Sequence, residues 1–135
     1  CIIDKRRKSG STTEAKHIIG DVRDKNVIMV DDMVTTAGTI TEACKILRDN
    51  GVKEIYIAAT HGVFSPPAME RLSKCPFTKI AVTDTIPLGE RVDTIKDRLV
   101  VLSVADLLGE AINRIHNNAS VSALFKDDPE KKTDD

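Results

Sequence analysis

The chain has 135 residues, 41% of them hydrophobic, which suits one buried core and one domain. Lys and Arg number 20 against 21 Asp and Glu, so the net charge of -1 gives no bulk attraction toward nucleic acid or an acidic membrane. No apolar run is long enough to cross a bilayer and no signal-peptide pattern is present. Cys1, Cys44 and Cys75 lack metal-ligand spacing, so reduced thiols and a cytoplasmic protein are expected.

The opening "CIIDKRRK" has no Met and reads as a strand cut in mid-course, so the 135 residues are expected to belong to a longer protein. "KRRKSGSTTEAK" follows, polar, basic and rich in Ser, Thr and Gly, as a mobile loop. "NVIMVDD" is a strand. The spacing of Ala43, Ile46 and Leu47 predicts a helix over 41–50, which Gly51 stops. "KEIYIAAT" is the next strand, and Ser65 reads as the N-cap of a helix, "PAMERLSKC", with proline in its first turn. "KIAVTDT" and "RLVVLSV" are further strands. In "ADLLGEAINRIHNN" the residues Leu107, Leu108, Ala111, Ile112 and Ile115 share one helical face. The polar segment 126–135 reads as a disordered tail. Cys44 falls on a helix and Cys75 just after one; neither has an expected partner to lower its pKa, so both read as packing residues.

Apolar strands alternating with amphipathic helices predict an α/β domain, a mostly parallel sheet flanked by helices on both faces. Such folds bind ligands at the carboxyl ends of their strands, near a switch in strand order. Asp31-Asp32, His61-Gly62 and Thr83-Asp84-Thr85 would gather there.

The most informative stretch is "VIMVDDMVTTAGTITEA", 27–43. Thr35, Thr36, Ala37, Gly38 and Thr39 lie between a strand end and a helix N-terminus, where unpaired N–H groups and the helix dipole favour an anion. Gly38 permits close approach, and threonine hydroxyls donate to phosphate oxygens. Asp31 and Asp32 suit vicinal hydroxyls or hydrated Mg²⁺. A phosphate beside a pair of hydroxyls is what a pentose phosphate offers. The same spacing also fits an ordinary helix-capping turn beside solvated acids, and "DKRRK" by itself fits a solvated basic loop.

"VIMVDDMVTTAGT" resembles the phosphoribosyl pyrophosphate signature of type I phosphoribosyltransferases and of ribose-phosphate pyrophosphokinases. "IIDKRR", "HIIGDV", "THGVFSPPAMERL", "VTDTIP" and "LLGEAINRIHNNASVSALF" resemble, in order, segments of the C-terminal half of the pyrophosphokinases, and the likeness runs to Phe125. It implies a type I phosphoribosyltransferase-like domain over 1–125, with 4–17 as a flexible catalytic loop and an N-terminal domain not included in this sequence. The implied activity is transfer of pyrophosphate from ATP to ribose 5-phosphate, with Mg²⁺ as cofactor and dimers assembled into hexamers. Lys5 and Arg7 would be catalytic. Thr35, Thr36, Ala37, Gly38 and Thr39 would hold the 5-phosphate, and Asp31 and Asp32 the ribose hydroxyls, directly or through Mg²⁺-bound water; no other metal ligand is assigned. Ser120 and Ser122 would border a regulatory phosphate or ADP site.

His61 is a candidate to approach ATP or to make a local hydrogen bond, and Thr83 and Thr85 are candidates to line the ribose pocket. Two departures matter. Thr35 stands where the family commonly has Asp, which alters charge balance and any contact that Asp makes; Ala37 stands where Gly or Cys also occurs. Because the family's N-terminal domain supplies much of the ATP site, the 135 residues alone are expected to be inactive. Two other readings are a non-catalytic partner of such an enzyme and a phosphoribosyltransferase that uses a nitrogenous base.

Overall fold

The structure is a computed structural model that describes residues 2–6 and 15–125, with side chains described from Gly20 onward. It divides into two compact units, 1–102 and 103–135.

The first unit opens with β1 (Ile2–Arg6) and β2 (Ala15–Ile19), paired antiparallel with Lys5 opposite Lys16. The pairing takes 4–6 and 15–17 out of the loop expected over 4–17 and into strands. Next come β3 (Asn26–Met33), β4 (Glu54–His61), β5 (Lys79–Thr83) and β6 (Leu99–Leu102), a parallel sheet in that order. Side chains alternate between the two faces of a strand. In register, Val27, Met29, Ile55, Ile57, Ala59, Ile80, Val82 and Leu99 therefore share one face.

Three connecting segments cover that face. They are α1 (Gly38–Asp49) through Ile40, Ala43, Cys44 and Leu47, α2 (Ala68–Lys74) through Ala68 and Leu72, and a 3₁₀ helix (Gly89–Arg98) through Val92 and Ile95. Strands laid down in sequential order by right-handed crossovers put every crossover on the same side. On the opposite face of these strands Ile28 and Val30 are 65% and 78% exposed. The described sheet has no reversal of strand order, and β3 is an edge strand.

Three local predictions differ. α1 starts at Gly38 rather than residue 41, because the turn before it feeds directly into helical geometry. Ser65 does not cap α2 with its side chain: Pro67 occupies the cap, and the Ser65 carbonyl accepts the Ala68 N–H at 2.8 Å. Cys44 and Cys75, expected to lack partners, interact side chain to side chain. Gly51 does end α1, at φ +81°, after the Asn50 N–H bonds back to Ile46 and Leu47.

The second unit holds α3 (Ala105–His116) and a short 3₁₀ helix (Val121–Phe125). Arg114 joins them: Nε donates to Glu110 Oε1 at 2.7 Å and Nη1 to the Ser120 carbonyl at 3.3 Å. Residues 126–135, read as a tail, lie outside the described residues. Among the described residues, no helix is long and apolar enough to cross a membrane.

Candidate functional site

At the carboxyl end of β3 the chain is pinned from one side. The Val34 N–H donates to the His61 carbonyl at 2.9 Å, and the carbonyls of Val34 and Thr35 accept from Phe64 and Ser65 at 2.9 and 3.0 Å. These contacts leave the N–H groups free. From Thr35 through Ile40, no backbone N–H finds an acceptor among the described residues. Ala37 turns the chain into α1 at φ 58°, ψ 10°, a left-handed conformation that costs an L-residue about 1–2 kcal/mol. Thr41 helps to hold it, donating to the Ala37 carbonyl from N and from Oγ1 at 3.0 and 2.9 Å.

α1 has no side-chain cap and no acidic residue in its first turn, so its 12 residues present an unscreened positive end. The resulting cavity, 140 Å³, is lined by Asp31 and by 33–40. All five residues expected to hold the phosphate, Thr35, Thr36, Ala37, Gly38 and Thr39, therefore line one cavity.

Asp31 and Asp32 are both exposed but are not equivalent, because successive strand residues point to opposite faces. Asp31 lines the loop cavity and Asp32 does not. Asp31 Oδ1 accepts the Asp32 N–H at 2.9 Å and Asp32 Oδ1 the Met33 N–H at 2.7 Å, which leaves each second oxygen available to a ligand. Asp31 also borders a 240 Å³ depression over the ends of the strands, with Ala58, Thr60, Ala81, Thr83 and Leu102. Its carboxylate thus stands between a polar cradle and a mostly apolar floor.

At the same end of the sheet, Thr83 Oγ1 donates to the Thr60 carbonyl at 2.7 Å and lies 3.0 Å from Thr85 Oγ1, which is 2.8 Å from His61 Nδ1. In the tautomer protonated at Nδ1, His61 donates to Thr85, Thr85 to Thr83 or to the Thr60 carbonyl at 3.3 Å, and Thr83 to Thr60. That tautomer leaves His61 Nε2 without a partner among the described residues.

Arg71 had no signal in the sequence. It lies on α2, yet its Nη1 donates to the Thr36 carbonyl at 3.0 Å and comes within 3.3 Å of a Cβ built on Gly38. A cation thus braces the loop from outside the cavity and adds positive potential to it. Arg71→Met is expected to weaken inorganic phosphate binding about tenfold, the scale of one charge-assisted hydrogen bond. Arg71→Lys should recover part of that loss, and thermal melting should stay within a few degrees because Arg71 is exposed. Calorimetric titration of the variants would check it.

Lys5 lies on β1, with only its backbone described, and Arg7 lies outside the described residues. Ser120 and Ser122 are exposed in the second unit. Among the described residues, no group of three or more His, Cys, Asp and Glu forms a metal cage.

A family model described as phosphoribosyl synthetase-associated domain matches residues 9–126. The chain is 51% identical over 128 residues to a ribose-phosphate pyrophosphokinase of Nostoc sp., covering 93% of this chain and 37% of that protein. It is 46% identical over 125 residues to the chloroplastic ribose-phosphate pyrophosphokinase 2 of Spinacia oleracea, covering 93% of this chain and 31% of that one. In the crystal structure of phosphoribosylpyrophosphate synthetase from Mycobacterium smegmatis, the matching fold gives a TM-score of 0.73 at 43% identity, over 78% of this chain and 35% of that one. The chain thus spans about a third of these relatives' length.

Proposed function

The chain belongs to the phosphoribosyl synthetase family, with ribose-phosphate pyrophosphokinases among its relatives, and from that premise we propose that it is the C-terminal, ribose 5-phosphate-binding part of such an enzyme. The reaction moves the β,γ-pyrophosphoryl group of ATP onto the anomeric hydroxyl of ribose 5-phosphate, giving phosphoribosyl pyrophosphate and AMP. The observation that carries this reading is the row of open N–H groups from Thr35 to Ile40, around a 140 Å³ cavity with Asp31 at its edge.

The 5-phosphate sits in the loop, where N–H groups, Thr hydroxyls and the α1 dipole meet its charge without reorganising. The sugar then extends past Asp31 toward the strand ends, and Asp31 accepts from its vicinal hydroxyls. Asp31 or Asp32 would also fit Mg²⁺ held through water, since among the described residues each keeps one carboxylate oxygen free and Mg²⁺ retains much of its hydration shell beside one or two carboxylates. When bound, the ion neutralises charge on the transferred phosphates.

Lys5 and Arg7, at the end of β1 and just beyond it, supply the cations that phosphoryl-type transfer needs around the moving oxygens. The rest of the ATP site comes from the remainder of the longer protein. Cytoplasmic location and a homo-oligomeric assembly complete the reading.

The test gives the full-length protein ATP, Mg²⁺ and ribose 5-phosphate with no nitrogenous base. AMP and phosphoribosyl pyrophosphate should rise in equal amounts, and the 135-residue chain alone should give no sustained AMP. Ribose 5-phosphate binding without AMP from the full-length protein would overturn the catalytic reading in favour of a non-catalytic partner. Turnover that requires a base would instead identify a phosphoribosyltransferase.

A further inference from the structure

Between α1 and α2 lies an open groove of 430 Å³ that shares no lining residue with the loop cavity. Its volume falls within the roughly 300–1,000 Å³ of small-molecule sites. Lys45 and Arg48 of α1 and Arg71 and Lys74 of α2 line it, with Asp49 as the carboxylate among them. On each helix the two cations are three residues apart, which places them on one helical face, about 4.5 Å apart along the axis. Each wall thus contributes a pair of cations, in a chain whose net charge is -1.

We propose that this groove binds a diphosphate group, as free pyrophosphate or as the diphosphate of a nucleotide.

The four cations are not alike. Arg48 is fixed in place: Nε and Nη2 donate to the Pro76 carbonyl at 3.0 and 2.9 Å, and Nη1 to the Val52 and Lys53 carbonyls at 3.1 and 2.6 Å. It gives the groove a standing positive charge rather than a free donor. Arg71 is anchored at one end, through Nη1 to the Thr36 carbonyl at 3.0 Å, and its Nε and Nη2 have no partner among the described residues. A guanidinium held this way keeps donors for phosphate oxygens without having to be ordered first. Lys45 is exposed and makes no hydrogen bond or ion pair among the described residues. Lys74 Nζ pairs with Glu70 at 2.8 Å, but both side chains are exposed, and so weak a pair yields to a more highly charged partner.

Like charges gathered on two walls repel one another in the folded protein, and Asp49 offsets only part of that repulsion. A bound polyanion removes it. A single phosphate would meet cations of one turn. A diphosphate extends its terminal oxygens both ways along the groove and reaches Lys45 and Arg48 on one wall and Arg71 and Lys74 on the other, with charge-assisted hydrogen bonds from the three that keep free donors.

The groove stands whichever way the loop is read. Its test acetylates the lysines of the full-length protein, without divalent metal and at constant ionic strength, and reads each lysine by peptide mass. Pyrophosphate at ten times its dissociation constant should slow acetylation of Lys45 and Lys74 about tenfold, by mass action. Lys53, exposed and outside the groove, should react as before. Lys74→Ala should raise the pyrophosphate concentration that half-protects Lys45 about tenfold, the scale of one hydrogen bond to a charged group. Half-protection by GDP at a lower concentration than by pyrophosphate would assign the diphosphate to a nucleotide, and the reverse order to the free ion. Failure of both anions to protect these lysines would overturn the proposal. Equal protection by sulfate, or protection of Lys45 that survives Lys74→Ala unchanged, would overturn it too.

Discussion

Asp31→Asn is expected to weaken ribose 5-phosphate binding about 10- to 100-fold, the range for losing a hydrogen bond to a charged group. The same variant should bind inorganic phosphate within about fivefold of the parent protein, because removing an exposed carboxylate from beside an anion is worth about 1 kcal/mol or less. The geometry requires this split. Asp31 borders the loop cavity, but the N–H groups that face the phosphate belong to 35–40. Asn keeps an Oδ1 acceptor for the Asp32 N–H, so the strand end should hold its shape. Paired calorimetric titrations decide it: equal losses for the sugar phosphate and for free phosphate would mean that Asp31 shapes the loop rather than holding the sugar.

A second large effect concerns the fold that supports the loop. Ile80, the second residue of β5, is 0% exposed and level with Ile57 of β4 and Leu99 of β6. It belongs to the core shared by α1, α2 and the first 3₁₀ helix. Ile80→Ala removes three buried carbons from a position walled by a strand on each side, where collapse is least able to fill the gap. A loss of about 2–5 kcal/mol follows, a large part of the 5–15 kcal/mol typical of a whole domain. A urea transition whose midpoint falls while its slope stays constant would agree with it. An unchanged midpoint would contradict the packing described for this face.

What the sequence revealed was local. "NVIMVDD" announced a strand ending in acids, and the Thr-Thr-Ala-Gly-Thr run after it announced a turn into a helix. Both follow from backbone preference and periodicity within a few residues. The onset of α1 was read late because Gly38 and Thr39 are weak helix formers whose helical state depends on the pinned turn before them. The 3₁₀ helix over Gly89–Arg98 was missed because its apolar pair, Val92 and Ile95, repeats at three residues amid polar neighbours.

Long-range contacts were not legible. Nothing near Arg71 in the sequence points to the Thr36 carbonyl, 35 residues away. Nothing near Cys44 points to Cys75. The placement of the first unit's three crossovers on one side reflects strand order, which periodicity does not encode. For the site the division is similar. The five residues of the continuous loop line one cavity, and of the Asp pair Asp31 lines it while Asp32 does not, because a strand alternates its side chains.

The most direct measurement is an amide proton–nitrogen correlation spectrum of the isotopically labelled protein, titrated with ribose 5-phosphate. If the 5-phosphate sits in the loop, the N–H signals of 35–40 should move downfield together and saturate with the calorimetric affinity, as open donors acquire a charged acceptor. Saturable binding that leaves those signals in place and shifts amides elsewhere would contradict the central claim.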